Sequence, residues 1–454
     1  MTLPSDAPRP TQDHEPVVYN VGLDPRSIDQ DALRVLSRLQ RNGHEAYLVG
    51  GCVRDLLLGR RPKDFDVATQ AHPRQVKRLF RNGRIIGRRF RLVHVVYGRQ
   101  IVETATFRTE PVIDDSEDLL ITEDNQYGTA AEDARRRDFT VNGLFYDPTC
   151  GEVHDWVDGI ADLEEGLLRT IGDPRVRFAE DPVRILRAVK FATRLGFRIE
   201  EKTWEAMSEL APDLSRSAPP RVAEEILRLM RSGTSLGAFR MLRACGALKA
   251  LLPQVDDYLG TRDDPDPRAH DRADLFWRLL EALDADMHVG KEPSTGVLVA
   301  VLFLRVIENQ LEQDSELSDL DRSRIASEVI QPLAARARLP RRAVEQAMRI
   351  IALQPRFLQP PTKHLRRILF LRSDDFPEAL HLFRLRCAAW GQGWDVYEGW
   401  LERSRGAEGV SEDELSELRR KNRRKRRRGK RRGRRGNPAG PDEGPVDGAP
   451  LDDD

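Results

Sequence analysis

The sequence predicts an α+β chain: a mixed-sheet unit of about 120 residues near the N-terminus, helices alone after it, and a charged tail with no core. Two patterns carry this. Short apolar runs punctuated by Gly and Pro alternate with amphipathic stretches up to about residue 150, and from about residue 155 to 404 only helical periodicity remains. A third observation sets the tail apart. Residues 419–435 hold 14 basic side chains in 17 positions, whereas 436–454 hold six acidic ones and no basic ones.

Residues 1–25 are polar and Pro-rich and are expected to form a flexible leader. The spacing of Leu33, Val35, Leu36 and Leu39 predicts a helix from Asp29 that Gly43 ends. Residues 46–49 read as a short strand running into Gly50-Gly51, and residues 53–58 as a helix closed by Gly59. Residues 65–68 form the next expected strand, and His72-Pro73 opens a helix to Phe80. Ile85-Ile86, residues 92–97 and residues 101–107 supply the remaining strands. The acidic stretch 114–125 reads as a mobile loop. Helices are expected at 182–195, 201–210 and 221–231, with several more to about residue 404. The expected boundaries are 1–25, 26–150, 151–235, 236–405 and 406–454.

Composition removes several function classes. No run of 18 apolar residues exists, which argues against a membrane span, and the N-terminus lacks the apolar core of a secretory signal. Cys52, Cys150, Cys245 and Cys387 are scattered without a CxxC pair, so a zinc site or disulfide framework is not expected and a cytosolic setting fits. The zero net charge conceals segregation, because residues 1–418 carry 60 basic and 68 acidic side chains. A basic block such as 419–435 repels itself, cannot bury a core, and reads as a disordered arm for a polyanion.

Two constellations carry chemistry. In LVGGCVRDLLLG, residues 48–59, a strand, two glycines and a helix start present bare amides where phosphate oxygens bind, and Arg54 can add a charge-assisted contact. A tight turn is the plainer reading of Gly-Gly alone. In Lys63-Asp64-Phe65-Asp66-Val67, strand alternation puts both carboxylates on one face and Phe65 and Val67 on the other. Glu103, in Ile101-Val102-Glu103-Thr104, is expected beside the pair on an adjacent antiparallel strand. Three hard oxygen donors suit Mg²⁺, and two such ions about 3.5–4 Å apart clamp the attacking and leaving oxygens of an in-line displacement. An exposed strand with alternating acids is the commoner meaning of an isolated DxD.

Gly50-Gly51-Cys52-Val53-Arg54-Asp55 followed by Asp64-Phe65-Asp66 resembles the polymerase-β-like nucleotidyltransferase superfamily, in its bacterial tRNA nucleotidyltransferase and poly(A) polymerase branch. The resemblance continues through Arg136-Arg137-Asp138-Phe139-Thr140-Val141-Asn142-Gly143-Leu144, similar to an RRDFTxNAL motif with Gly143 in place of Ala. It implies sugar and phosphate contacts for Arg137, Asp138 and Asn142. Asp158-Gly159 with Asp162-Leu163 resembles the family's flexible neck element, and Glu180-Asp181-Pro182-Val183-Arg184 its nucleotide-selecting helix. The family match thus covers roughly residues 45–235. By the resemblance, 26–150 is a catalytic head, 151–235 a neck that selects the nucleotide, and 236–405 an RNA-binding body.

Asp181 and Arg184 lie three apart, a spacing that on one helical face lets a carboxylate acceptor and guanidinium donors reach a single base edge. An i,i+3 surface ion pair is the other reading. Arg187, a turn further on, is expected to touch triphosphate or primer.

Poly(A) synthesis and CCA addition share all these motifs. Residues 85–95, with Arg88, Arg89 and His94, resemble a segment of the poly(A) branch, as do Phe383, Leu385, Arg386, Trp390 and Trp394. The basic run, including Arg423, Arg424, Arg426 and Arg427, suits sequence-independent attraction to RNA. The expectation is a polynucleotide adenylyltransferase that adds AMP from ATP to RNA 3′ ends in RNA processing and decay, with Mg²⁺ as cofactor and RNA and ATP as partners. CCA addition to tRNA is the alternative. A catalytically silent RNA-binding adaptor would show eroded carboxylates or an eroded RRDFT segment, and both are intact.

Overall fold

The computed structural model describes residues 15–87, 91–109, 126–260, 268–312, 319–337, 339–359, 364–407 and 420. Arg88, Arg89, the acidic stretch 114–125 and the basic run with Arg423, Arg424, Arg426 and Arg427 lie outside them.

The head begins with β1 (Val17–Asn20), α1 (Gln30–Arg41), β2 (Ala46–Val49), α2 (Gly51–Leu57), β3 (Asp66–Thr69) and α3 (Pro73–Leu79). It continues through β4 (Gly83–Ile86), β5 (Leu92–Tyr97), β6 (Gln100–Thr106), α4 (Ala130–Arg135), β7 (Leu144–Asp147) and β8 (Glu152–Asp155). Among the described residues these strands form one sheet in the order β1-β8-β7-β2-β3-β6-β5-β4. α1 is started by Asp29, whose carboxylate accepts the amides of Asp31 and Ala32 at 2.9 Å each, and it buries Ala32, Val35, Leu36 and Leu39.

Two expectations are corrected here. β1 falls within the stretch expected to be a flexible leader and pairs antiparallel with β8, which also carries the sheet past residue 150. β3 and β6 run parallel, with Asp66 opposite Glu103, instead of antiparallel. The reason is topological: between β3 and β6 the chain passes through α3 and the β4–β5 hairpin, a crossover that brings β6 back in the original direction.

After the sheet come α5 (Gly159–Glu165), a two-residue pairing of β9 (Leu167–Leu168) with β10 (Arg198–Ile199), α6 (Pro174–Glu180), α7 (Val183–Leu195), α8 (Glu201–Leu210) and α9 (Pro219–Met230). The rest of the described chain is helical: α10 (Ser235–Ala244), α11 (Ala247–Leu251), α12 (Pro253–Leu259), α13 (Arg268–His288), α14 (Thr295–Glu312), α15 (Asp319–Ala337), α16 (Arg341–Leu358), α17 (His364–Leu371), α18 (Phe376–Trp390) and α19 (Trp394–Ala407). One apolar core runs from the head into these helices. In α18, Phe383 stacks on Phe357 with centroids 4.8 Å apart, Leu385 is buried, and Arg386 pairs with Glu308 while covering Trp390. Among the described residues no helix is long and apolar enough to cross a membrane.

Candidate active site

β2 delivers the chain to Gly50, which sits at φ +71°, a conformation strained for any side chain. A Cβ there would also lie 2.8 Å from Arg137 Nη1, so a side chain would displace that guanidinium as well. α2 then starts at Gly51, where first-turn amides have no partner within the helix. Arg54 is nearly inaccessible. Its guanidinium donates to Asp55 at 2.6 and 2.9 Å and to Asn142 Oδ1 at 2.5 Å, and it lies over the Phe191 ring.

The carboxylates stand on the neighbouring strand edge. Asp66 opens β3 opposite Val49 of β2, and Asp64 stands two residues before it, outside the strand; Val67 is buried and Phe65 half-buried. Burial, then Glu103, then Asp64 push the Asp66 carboxyl up to about 6, against the lowering effect of Arg137. A carboxylate so disfavoured as an anion, beside two more hard oxygen donors, suits a divalent cation chemically. Among the described residues, however, no group of three or more His, Cys, Asp or Glu side chains closes around a metal position. Glu103 Oε1 lies 3.3 Å from Nε2 of His94, its cross-strand partner on β5.

A buried polar chain links the head to the first helices after it. Asn142 accepts from Arg54 and donates to Asp138 Oδ1 at 3.1 Å, and Asp138 Oδ2 receives Arg187 of α7 at 2.6 Å. Burial works against the Asp138 charge, but Arg187 and the Asn142 hydrogen bond prevail and lower its pKa to about 2. Arg137 is held by Asp133 at 2.9 Å and lies over Phe145. Arg177 on α6 donates to the carbonyl oxygens of Arg136 and Arg137, the latter at 2.7 Å, pinning this segment against the helices. Asp162 accepts Thr140 Oγ1 at 2.6 Å, while Gly159 packs so closely that a Cβ would lie 2.3 Å from the Thr140 carbonyl oxygen.

The selecting pair differs from its expectation. Asp181 and Arg184 do not share one helical face: Asp181 is the non-helical cap ending α6 (φ −149°, ψ 87°), and α7 starts only after Pro182. Pro182 disfavours helical backbone at the residue before it, and this separates the two helices. Asp181 receives both terminal nitrogens of Arg221 from α9, and Arg184 donates to Glu180 and to the Arg177 carbonyl, each at 2.8 Å.

A cleft of about 1050 Å³ gathers Gly50, Gly51, Arg54, Asp64, Asp66, Arg137, Asp138, Asn142, Asp181, Arg184 and Arg187. Glu103 lines an adjacent cavity that shares Asp64 and Asp66 as a wall. The large cleft is lined by ten cationic and six anionic side chains, a surplus that suits a polyphosphate. Sequence reasoning missed Asp55, Asp133, Arg177, Glu180 as a charge partner, and Arg221. Each acts through a contact distant in the chain or beside a more conspicuous residue, and only Asp55, next to Arg54, and Glu180, next to Asp181, stood inside a motif.

The mixed-sheet head, the carboxylates on its edge and the cationic cleft against the following helices define a polymerase-β-like nucleotidyltransferase. Family models match along the chain: Poly A polymerase head domain at 46–169, Probable RNA and SrmB-binding site of polymerase A at 196–259, and Polymerase A arginine-rich C-terminus at 322–435. Poly(A) polymerase I of Salmonella typhi is 37% identical over 373 residues, covering 80% of this chain and 79% of that one. That of Haemophilus influenzae is 45% identical over 250 residues, covering 53% of this chain and only 55% of the relative. CCA-adding enzymes are relatives too, 38% identical over 256 residues in Lactobacillus delbrueckii, covering 56% of this chain and 63% of that one. In fold, the chain is similar to the Bacillus stearothermophilus CCA-adding enzyme solved with CTP, at a TM-score of 0.61 and 24% identity over 91% of this chain and 89% of that one. The chain belongs to the bacterial poly(A) polymerase family, and is a nucleotidyltransferase that acts on RNA.

Proposed function

We propose that the chain adds AMP from ATP, without a template, to RNA 3′ ends. The observation that carries this is the meeting, in one cleft, of the Gly50 turn, the Asp64 and Asp66 carboxylates and a surplus of cations. The triphosphate lies on the Gly50-Gly51 turn among Arg137, Arg184 and Arg187, and the base faces Asp181 and Arg184. Arg54 braces the turn through Asn142 and Asp55, and its two remaining N–H groups are left to meet a phosphate. The 3′-hydroxyl oxygen bonds to the α-phosphorus, the bond from that phosphorus to the bridging oxygen breaks, pyrophosphate leaves, and the hydroxyl proton passes to solvent. Asp64 and Asp66, with Glu103 assisting, would hold Mg²⁺, two ions in the full site, which supplies charge stabilisation at the phosphate oxygens. The Asp138–Arg187 pair fixes the head against α7 so that turn and base-reading side chains keep one spacing. The basic run 419–435 serves as an RNA arm.

The choice of poly(A) synthesis is supported by the extent of the Salmonella typhi match and by the arginine-rich C-terminal model. CCA addition is the second reading, supported by the 38% identity to the CCA-adding enzyme of Lactobacillus delbrueckii. Incubation of the full chain with Mg²⁺, generic RNA and either ATP or CTP separates them. Long tails from ATP alone support adenylyl transfer, whereas one or two additions that need CTP on tRNA lacking its end support the alternative.

A further inference from the structure

The carboxylate wall has two sides. Beyond the nucleotide cleft, a cavity of about 890 Å³ includes Asp64, Asp66 and Glu103 in its lining. It adjoins another of about 840 Å³, the two sharing Lys63, Phe65 and Gln100. Lys63 lines the nucleotide cleft as well, so the three spaces meet there. Exposed Arg26, Arg61, Lys63 and Arg99 line this double trough, and none has a carboxylate partner among the described residues. The acids closest to Arg26 in the chain are engaged elsewhere. Asp24 accepts the Arg26 amide at 2.9 Å, while Asp29 caps α1 and accepts Gln100 Nε2 at 2.7 Å. A single solvated cation on a surface means little. Four unpaired ones along a trough that ends at catalytic carboxylates form a track for a polyanion.

We propose that this trough carries the single-stranded 3′ segment of the RNA, its phosphodiesters lying against Arg26, Arg61, Lys63 and Arg99. The proposal rests on the adenylyl-transfer reading and adds the path of the acceptor strand. In-line displacement needs attacking and leaving oxygens on opposite sides of the α-phosphorus. The acceptor and the triphosphate therefore require separate approaches to the same carboxylates, and the two spaces sharing Asp64 and Asp66 give each its own. Half-buried Tyr97, on the trough wall, offers a ring face on which a base can stack.

The test is the full-length variant Arg26→Ala Arg61→Ala Arg99→Ala, with Lys63 kept because it also lines the nucleotide cleft. Extension of a labelled oligoadenylate about 20 nucleotides long and of a trinucleotide is measured across a salt series, beside a thermal melt. The expected result is a KM for the long primer raised about tenfold, and a salt dependence shallower by about 2 in log–log slope, at about 0.7 per lost phosphate contact. The defect should fall below twofold for the trinucleotide, with the KM for ATP and the melting temperature unchanged. A long-primer KM and slope within twofold of wild type would overturn the proposal, as would an equal loss on both primers. Failure of the wild-type chain to extend either primer would instead sink the adenylyl-transfer reading, and the proposal with it.

Discussion

Arg221 closes on Asp181 with both terminal nitrogens, at 2.7 and 3.1 Å, and so occupies the carboxylate proposed to face the incoming base. The Arg221 side chain is about half exposed, at 48%, so the pair is cheap to break: exposed ion pairs contribute roughly 0.2–1 kcal/mol. Adenine's amino group therefore has a weak competitor to displace. Arg221→Met is expected to lower the KM for ATP by up to about fivefold, the equivalent of that energy, and to lower the melting temperature by no more than about 2 °C. Asp181→Ala is expected to raise the KM for ATP and blunt the preference over CTP. Steady-state kinetics with both nucleotides check this, and a KM raised in Arg221→Met would mean that Arg221 itself holds substrate.

The Asp138–Arg187 contact predicts an acid limb in stability. The Asp138 pKa is lowered to about 2 from the usual carboxylate range, so its contribution is complete above about pH 4 and is lost as pH falls toward 2. A depression of that size corresponds to roughly 2 kcal/mol. Urea unfolding between pH 5 and 2 is expected to show this loss in the wild-type chain. Asp138→Asn should be less stable at pH 5 and flatter below pH 4, and parallel curves for the two proteins would contradict the assignment.

Gly143 departs from the alanine of the motif it resembles, and the packing shows why. A Cβ at this position would stand 2.6 Å from Val157 Cγ2 and 3.2 Å from Ile171 Cδ1. Val157 occupies the space that a methyl group would need. Gly143→Ala is expected to destabilise the chain by about 1–3 kcal/mol, the range for overpacked cores. Adding Val157→Ala should recover part of the loss, because the residues are in contact and their effects do not add. Denaturant titrations of both single variants and the double variant measure that coupling, and simple additivity would refute the packing account.

The strand, glycine turn, helix and acids were legible because each depends on residues close in the chain: the apolar run beginning at Val67 beside exposed Asp66, the positive φ of Gly50, and the Gly59 cap. The parallel direction of β3 and β6 was not, since Glu103 carries no mark of which way its strand runs. β1 was hidden because four residues, Val17–Asn20, gain strand character only by pairing with β8, far along the chain. The break at Asp181 had a local signal in Pro182, outweighed by the expectation of a continuous helix. Arg177 and Arg221 lay beyond sequence reasoning, because their partners are brought to them by the packing of α6 and α9.

The acids on the edge of β3 are proposed to carry nucleotidyl transfer at the cleft. The most direct measurement is incorporation of labelled ATP into RNA by the wild-type chain and by Asp64→Asn Asp66→Asn, each with a thermal melt. Mg²⁺-dependent tails are expected from the wild type and no detectable incorporation from the variant, with a melting temperature no lower than wild type, since like charges have been removed. Undiminished incorporation by a folded Asp64→Asn Asp66→Asn protein would contradict it.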